Sequence, residues 1–306
     1  MRIIYFGTSE FAVPALEVAA PHVVLVVSQP DRPTGRGMKL TASPVKRRAL
    51  ELGLPVETPE KSRNPEFVER LRMLEADFLL VASYGQILSL AVLGAATQGG
   101  INLHGSILPK YRGAAPIQRC LMDGETETGV TLMQMDRGMD TGDMIAIEKL
   151  AIGPDETYGE LQTRLAELAA AMTQTWMGPI ASGSYPRLPQ DPVEATHAAK
   201  ITREDTEIRF QSDAQSEYNR FRALAPVPGT WFESVQGRIK LLEARPSDLS
   251  GAPGQILSSN PAIVALGRGS LEMRTVLSQS GKKVSGTDFL NGLRIGLGAS
   301  ILPGPT

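Results

Sequence analysis

The chain has 306 residues, 42% of them hydrophobic and 21% charged, and carries a formal net charge of -2. That length exceeds the usual size of one hydrophobic core, so two domains are expected, and the apolar content excludes disorder as the default state. A single cysteine, Cys120, excludes an internal disulfide and a thiolate zinc cluster; the three histidines, His22, His104 and His197, lack metal-ligand spacing, so no metal is expected.

The first residues form a short apolar run, Ile3 to Phe6, with no basic region and no signal-like apolar stretch. No segment approaches the roughly 20 unbroken apolar residues of a membrane-spanning helix. The expectation is a cytoplasmic protein, a monomer, without membrane association. Runs at Arg2 to Phe6, Val23 to Ser28, Phe78 to Ala82 and Gly100 to Leu103 read as buried strands, because strands covered on both faces are continuously apolar. Helical patterns separate them. Ser43-Pro44 supplies an N-cap and a first helical residue for Val45 to Leu52, with similar helix starts at Pro65 and Pro116. Strands alternating with helices predict a mostly parallel α/β sheet with helices on both faces and ligands beyond the C-terminal strand ends.

Leu161, Leu165, Leu168 and Met172 fall at helical spacing and predict one long helix over 157–177. Gly178 to Pro192 is rich in Gly, Ser and Pro and reads as a connection. Past residue 200 the pattern changes to short strands, at Arg238 to Glu243, Pro261 to Leu266 and Leu271 to Val276, which predicts a small β-barrel or sandwich. The expected organisation is a catalytic domain over 1–185, a linker over 186–203 and a β domain over 204–306. Residues 200–306 hold 13 Lys and Arg against 10 Asp and Glu, a mildly basic balance that hints at a polyanionic partner. Arg294 to Thr306 is poorly patterned and is expected to be a loosely held tail.

Three segments carry candidate chemistry. Gly7-Thr8-Ser9 follows the first strand, either as a ligand-binding turn or as a plain connection; the dinucleotide fingerprint is absent, which disfavours NAD. At Ile101 to His104, strand alternation puts Asn102 and His104 on one face. Alone, that pair is either catalytic or a core or capping feature. A polar, Gly- and Pro-rich loop follows it, and some thirty residues later comes the Gly/Asp-rich segment Met135 to Met144, whose Asp140 has the reach to meet His104.

HGSILPKYRGAAPIQ, starting at His104, and GVTLMQMDRGMDTGDM, starting at Gly129, resemble the 10-formyltetrahydrofolate transformylases, and their wording is closest to the members that act on methionyl initiator tRNA. SQPDRPTGRGMKLTASPVK (28–46), ALAPVPGTW (223–231) and SGKKVSGTDFLNG (280–292) extend the resemblance over nearly the whole chain. It implies a Rossmann-like N-terminal domain, a C-terminal barrel resembling an OB fold and a catalytic set of Asn102, His104 and Asp140. It implies 10-formyltetrahydrofolate as formyl donor, with Ser106, Ile107, Leu108 and Pro109 shaping the folate pocket. It also implies methionyl initiator tRNA as acceptor, the free amine attacking the formyl carbon through a tetrahedral intermediate, in support of translation initiation.

For the tRNA, the basic, Gly- and Pro-rich segment 29–48 offers Arg32, Arg36, Lys39 and Lys46, Arg36 foremost, because phosphates supply most nucleic-acid affinity. Lys200, Arg203, Lys282 and Lys283 are further candidates. The rival readings are a formyltransferase for an amino sugar nucleotide with the same donor and residues, a glycinamide ribonucleotide transformylase, and a non-catalytic nucleotide- or RNA-binding module.

Overall fold

The computed structural model describes residues 1–34 and 37–304. These form two compact units. One comprises Met1–Pro116, Glu127–Ala151 and Leu161–Ala199; the other comprises Ile117–Thr126, Ile152–Glu160 and Lys200–Thr306.

The first unit is built on a seven-stranded sheet. In chain order its relevant elements are β1 (Ile3–Gly7), α1 (Val13–Ala19), β2 (Val23–Val27), β3 (Arg32–Thr34), β4 (Lys39–Thr41), α2 (Pro44–Glu51), β5 (Val56–Glu57), α3 (Pro65–Met73), β6 (Phe78–Ala82), α4 (Leu90–Leu93) and β7 (Gly100–His104). There follow β8 (Arg112–Gly113), α5 (Pro116–Met122, in the second unit from Ile117), β9 (Glu127–Gln134), β10 (Met144–Ala151), α6 (Tyr158–Ala181, in the first unit from Leu161) and β11 (His197–Ala198). The sheet order is β10-β9-β7-β6-β1-β2-β5. From β7 to β5 all pairings are parallel, whereas β9 and β10 add an antiparallel edge. The parallel strands read as unbroken apolar runs because both faces are covered. Ile4, Phe6, Leu25, Val27, Leu79 and Val81 pack against Phe67, Val68 and Leu71 of α3 and Val92 and Leu93 of α4. The alternate residues Ile3 and Tyr5 are equally buried on the other face, where the Tyr5 hydroxyl donates to the Ala12 carbonyl beside α1.

The helix starts are chemically specified. Ser43 accepts the Lys46 N–H and Asn64 the Glu66 N–H, each followed by proline at the first helical position. Thr157 and Glu160 form a capping box, the Glu160 carboxylate accepting the Thr157 N–H at 2.9 Å. From there α6 runs four residues past the expected end, through Gly178 and Pro179. Burial of Met177 and Ile180 outweighs the helix-breaking signal there. No helix among the described residues is long and apolar enough to cross a membrane.

The second unit holds α7 (Ala214–Leu224), β12 (Thr230–Ser234), β13 (Gly237–Ser247), β14 (Ile256–Ser259), β15 (Ala262–Ala265), β16 (Ser270–Leu277), β17 (Lys283–Ser285) and α8 (Gly286–Leu293). Its six strands form an antiparallel sheet, β12-β13-β16-β15-β14 with β17 beside β16, and irregularities in β13 let that long strand bend. Phe221 of α7 and Phe289 and Leu290 of α8 share its core with Phe232, Leu241 and Met273. Segment 152–160 is tied to α7: Tyr218 donates to Asp155, and the buried Arg222 donates to the carbonyls of Gly153 and Glu156. The expectation of a loose tail past Arg294 is corrected. Ile301 is wholly buried, and its backbone bonds with Val235 and Gly254 dock the tail onto the sheet.

Candidate active site

Strand β7 places the first two candidate residues. Asn102 pairs with Val81 of β6 and Met133 of β9, and His104 pairs with Thr131 of β9, so the two side chains occupy alternate positions at a strand end buried on both sides. The His104 ring is held by a carbonyl: its Nε2 lies 2.9 Å from the Tyr111 oxygen. A carbonyl only accepts, so Nε2 carries the proton, and Nδ1 is the nitrogen left to take one. That Nδ1 faces Asp140 Oδ2 at 3.7 Å, longer than a hydrogen bond, with the two side chains only 6% and 17% exposed. The imidazole is therefore oriented by Tyr111, and the carboxylate stands ready for a charge on the ring.

Asp140 is held from three directions. Its backbone is in the left-handed region, φ 55°, which aspartate tolerates better than most residues. Its Oδ2 accepts the Gly113 N–H at 2.9 Å, and its carbonyl accepts from Gln190 Nε2 at 2.9 Å. Gly113 itself has φ +124°, and a Cβ there would lie 2.7 Å from the Ala198 carbonyl oxygen, so glycine is required. Asp136, in the same loop, is occupied in the turn, accepting from Gly138 N–H and the Thr141 hydroxyl. Asp143, also in this loop, pairs with Arg187 at 3.2 Å on the surface.

The segment Ser106 to Pro109, expected to shape the folate pocket, is bonded to its own neighbours. The Ser106 hydroxyl donates to the Lys110 carbonyl, and the Leu108 N–H is accepted by the buried Thr131 hydroxyl, which donates in turn to the Ser106 carbonyl. None of the four residues lines the open cleft, of about 630 Å³ including solvent at its mouth, that reaches Asp140. Its lining comes instead from Gln86, Ile87 and Leu88 after β6, and from Met133 and 135–140 at the end of β9. Two of these lining residues are exposed apolar side chains in otherwise polar loops: Ile87 is 81% and Met139 52% exposed. The cleft lies beyond the C-terminal end of β6, next to the point between β1 and β6 where the strand order reverses. There the Thr8 hydroxyl of the first turn donates to the Tyr84 carbonyl at 2.7 Å. Burial pushes the Tyr84 phenol up to about 12, with the Ser62 hydroxyl opposing, so it is no proton source near neutrality.

Of the basic candidates, Lys46 pairs with Asp31 at 2.8 Å in a half-buried position, and Arg32 approaches Glu60 at 3.9 Å. Lys39 is exposed on β4; Arg36 lies outside the described residues.

Two family profiles match the chain: Formyl transferase over residues 1–175, and Formyl transferase, C-terminal domain, over residues 200–294. The chain is 44% identical to a methionyl-tRNA formyltransferase of Sorangium cellulosum, over 95% of its length and 96% of the relative's. It is 39% identical to one of Chelativorans, over 98% and 99%. Among solved structures it resembles an N-formyltransferase from Helicobacter canadensis, in complex with folinic acid and dTDP-3-aminofucose, with TM-score 0.66 and 17% identity over 89% of this chain and 98% of that one. It also resembles HypX of Aquifex aeolicus in complex with tetrahydrofolic acid, with TM-score 0.63 and 16% identity over 97% of this chain and 48% of that one. At those identities the structural likeness speaks for the fold alone.

Proposed function

The chain belongs to the formyl transferase family, and on that premise we propose that it transfers a formyl group from 10-formyltetrahydrofolate to the amino group of methionyl initiator tRNA, using Asn102, His104 and Asp140. The acceptor follows from relatives that match both domains almost end to end. The observation that carries the chemistry is the His104 ring, pinned by its Nε2 to a carbonyl and presenting Nδ1 to a buried carboxylate.

In this reading the methionyl amine attacks the formyl carbon. A C–N bond forms, and the carbonyl oxygen becomes an oxyanion. Asn102, 9% exposed and with a carboxamide that bonds to no other described residue, donates to that oxyanion. His104 Nδ1 takes the proton that the attacking nitrogen loses, and the resulting imidazolium is stabilised by Asp140. The bond from the formyl carbon to the folate nitrogen then breaks, with a proton delivered to that nitrogen, and tetrahydrofolate leaves. No covalent link to the protein is needed.

The cleft suits the donor. Ile87, Leu88, Met133, Met135 and Met139 offer apolar surface to a flat bicyclic ring, and Asp140 connects the cleft with His104. Arg137, which forms no ion pair among the described residues, complements the anionic glutamyl tail. Lys39, Arg32 and Arg36 serve the tRNA phosphates, while Lys46 braces α2 against Asp31. We place the enzyme in the cytoplasm, acting as a monomer.

The test is single-turnover transfer of labelled formyl to methionyl initiator tRNA by the wild type and by His104→Ala, beside an amino sugar nucleotide as acceptor. Transfer to the tRNA that collapses in the variant is expected. Transfer to the sugar alone would keep the chemistry and overturn the acceptor.

A further inference from the structure

Gln190 lies in the segment between α6 and β11, 50 residues from Asp140 and 78 from Arg112, and its carboxamide is fully used. Nε2 donates to two carbonyls of the acid loop, Asp140 at 2.9 Å and Gly142 at 2.8 Å. Oε1 accepts from both Nε and Nη2 of Arg112, at 3.0 and 2.8 Å. Only a carboxamide does both jobs, since a carboxylate cannot donate and an aliphatic side chain can do neither.

What Gln190 joins matters. Arg112 is flanked by Tyr111, whose carbonyl holds His104 Nε2, and by Gly113, whose N–H holds Asp140 Oδ2. Residues 188–198 are themselves fastened across these loops. Leu188 and Met144 exchange both backbone hydrogen bonds, the Thr196 hydroxyl accepts the Tyr111 N–H at 2.8 Å, and β11 pairs with β8. The acid loop needs such support, because Asp140 occupies the left-handed region and a Cβ at Gly142 would collide with the Gln134 carbonyl.

Resting on the catalytic reading above, we infer that Gln190 is a positioning residue: by bridging Arg112 to the carbonyls of Asp140 and Gly142, it sets the Asp140 carboxylate at its working distance from His104. It touches no reacting atom and acts only through Asp140.

The test is a double-mutant cycle on the single-turnover rate with methionyl initiator tRNA. Gln190→Leu is expected to slow transfer by about 10- to 100-fold, the usual consequence of misplacing a catalytic group. KM for tRNA and folate should stay within about twofold, and in an Asp140→Ala background the same substitution should cost less than about twofold more. Should Gln190→Leu fold poorly by circular dichroism, Gln190→Glu keeps the size and the acceptor for Arg112 and should show the same kinetics. Equal losses in both backgrounds, or a loss confined to KM, would overturn the inference. A second readout needs no turnover: the ring ¹⁵N resonances of His104 should move in Gln190→Leu in the direction that Asp140→Ala moves them, and unchanged resonances would overturn it too. If the wild type transfers no formyl to methionyl-tRNA, the function fails, while the resonances still decide what Gln190 positions.

Discussion

Replacing Thr131 with valine tests how the strand that carries Asn102 and His104 and its following loop are locked together. Thr131 is wholly buried on β9, opposite His104. Its hydroxyl donates to the Ser106 carbonyl at 2.7 Å and accepts the Leu108 N–H at 3.0 Å. Valine keeps the shape and the strand preference but strips two buried backbone groups of their partner. Each of the two unsatisfied groups costs about 1–3 kcal/mol, while the added methyl returns about 0.8 kcal/mol, so the net loss should be about 1–5 kcal/mol. Urea titration by circular dichroism should show a lower midpoint at unchanged slope. Because the chain forms two units, the sharper readout is local: amide exchange at Leu108 should accelerate by about 5- to 4,000-fold, the same free energy expressed as a rate. A change below about 0.5 kcal/mol, or exchange at Leu108 no faster than wild type, would mean that the loop does not depend on this hydroxyl.

Asn102→Ala should lower the single-turnover rate by about 10²–10³ with little effect on binding, as loss of an oxyanion donor does elsewhere; full retention of the chemical step removes that role. Arg137→Ala should raise KM for a glutamylated donor by about fivefold, the upper range for an exposed ion pair, and should leave a pteroyl donor without glutamate untouched. An equal rise for both donors would assign Arg137 to the loop instead. Asp205 supplies a pH prediction in the second unit. Burial raises its pKa, but the Arg119 hydrogen bond, the Thr202 N–H and the Arg119 charge together outweigh it, leaving the folded carboxyl below its ordinary value. A depressed folded pKa contributes stability that is fully present above the unfolded value of about 3.9 and is lost as pH falls through the folded one. Unfolding midpoints of the wild type and Arg119→Met should therefore converge in strong acid and separate above about pH 4; a gap independent of pH would contradict the pairing.

Where local rules and tertiary packing agree, the fold was legible in the residues. Phe78 to Ala82 is an unbroken apolar run because β6 lies between β1 and β7 under two layers of helices, and Ser43-Pro44 specifies a helix start by capping chemistry alone. Where they disagree, packing won. Gly178-Pro179 spells a stop, yet α6 continues because Ile180 is 1% exposed, and a chain end rich in Gly and Pro is docked because Ile301 is completely buried. Neither burial is visible locally, since an isolated isoleucine near a proline carries no periodicity to read.

The site divides in the same way. Asn102 and His104 share a strand two residues apart, so the period of a strand was enough to put them on one face. Asp140 and Gln190 sit on loops, whose conformation is set by long-range bonds to backbone carbonyls, and a carbonyl is common to every residue type and leaves no mark in a sequence. In the polar loop after His104 the conformation is likewise fixed by backbone groups, which accept the hydroxyls of Ser106 and of Thr131 on β9. A buried loop beside a catalytic strand must satisfy its own N–H and C=O groups before it can serve a ligand. Ser106 and Thr131 thus fasten the loop expected to shape the folate pocket, while the apolar side chains of Ile87 and Met139 stay exposed at the cleft that reaches Asp140.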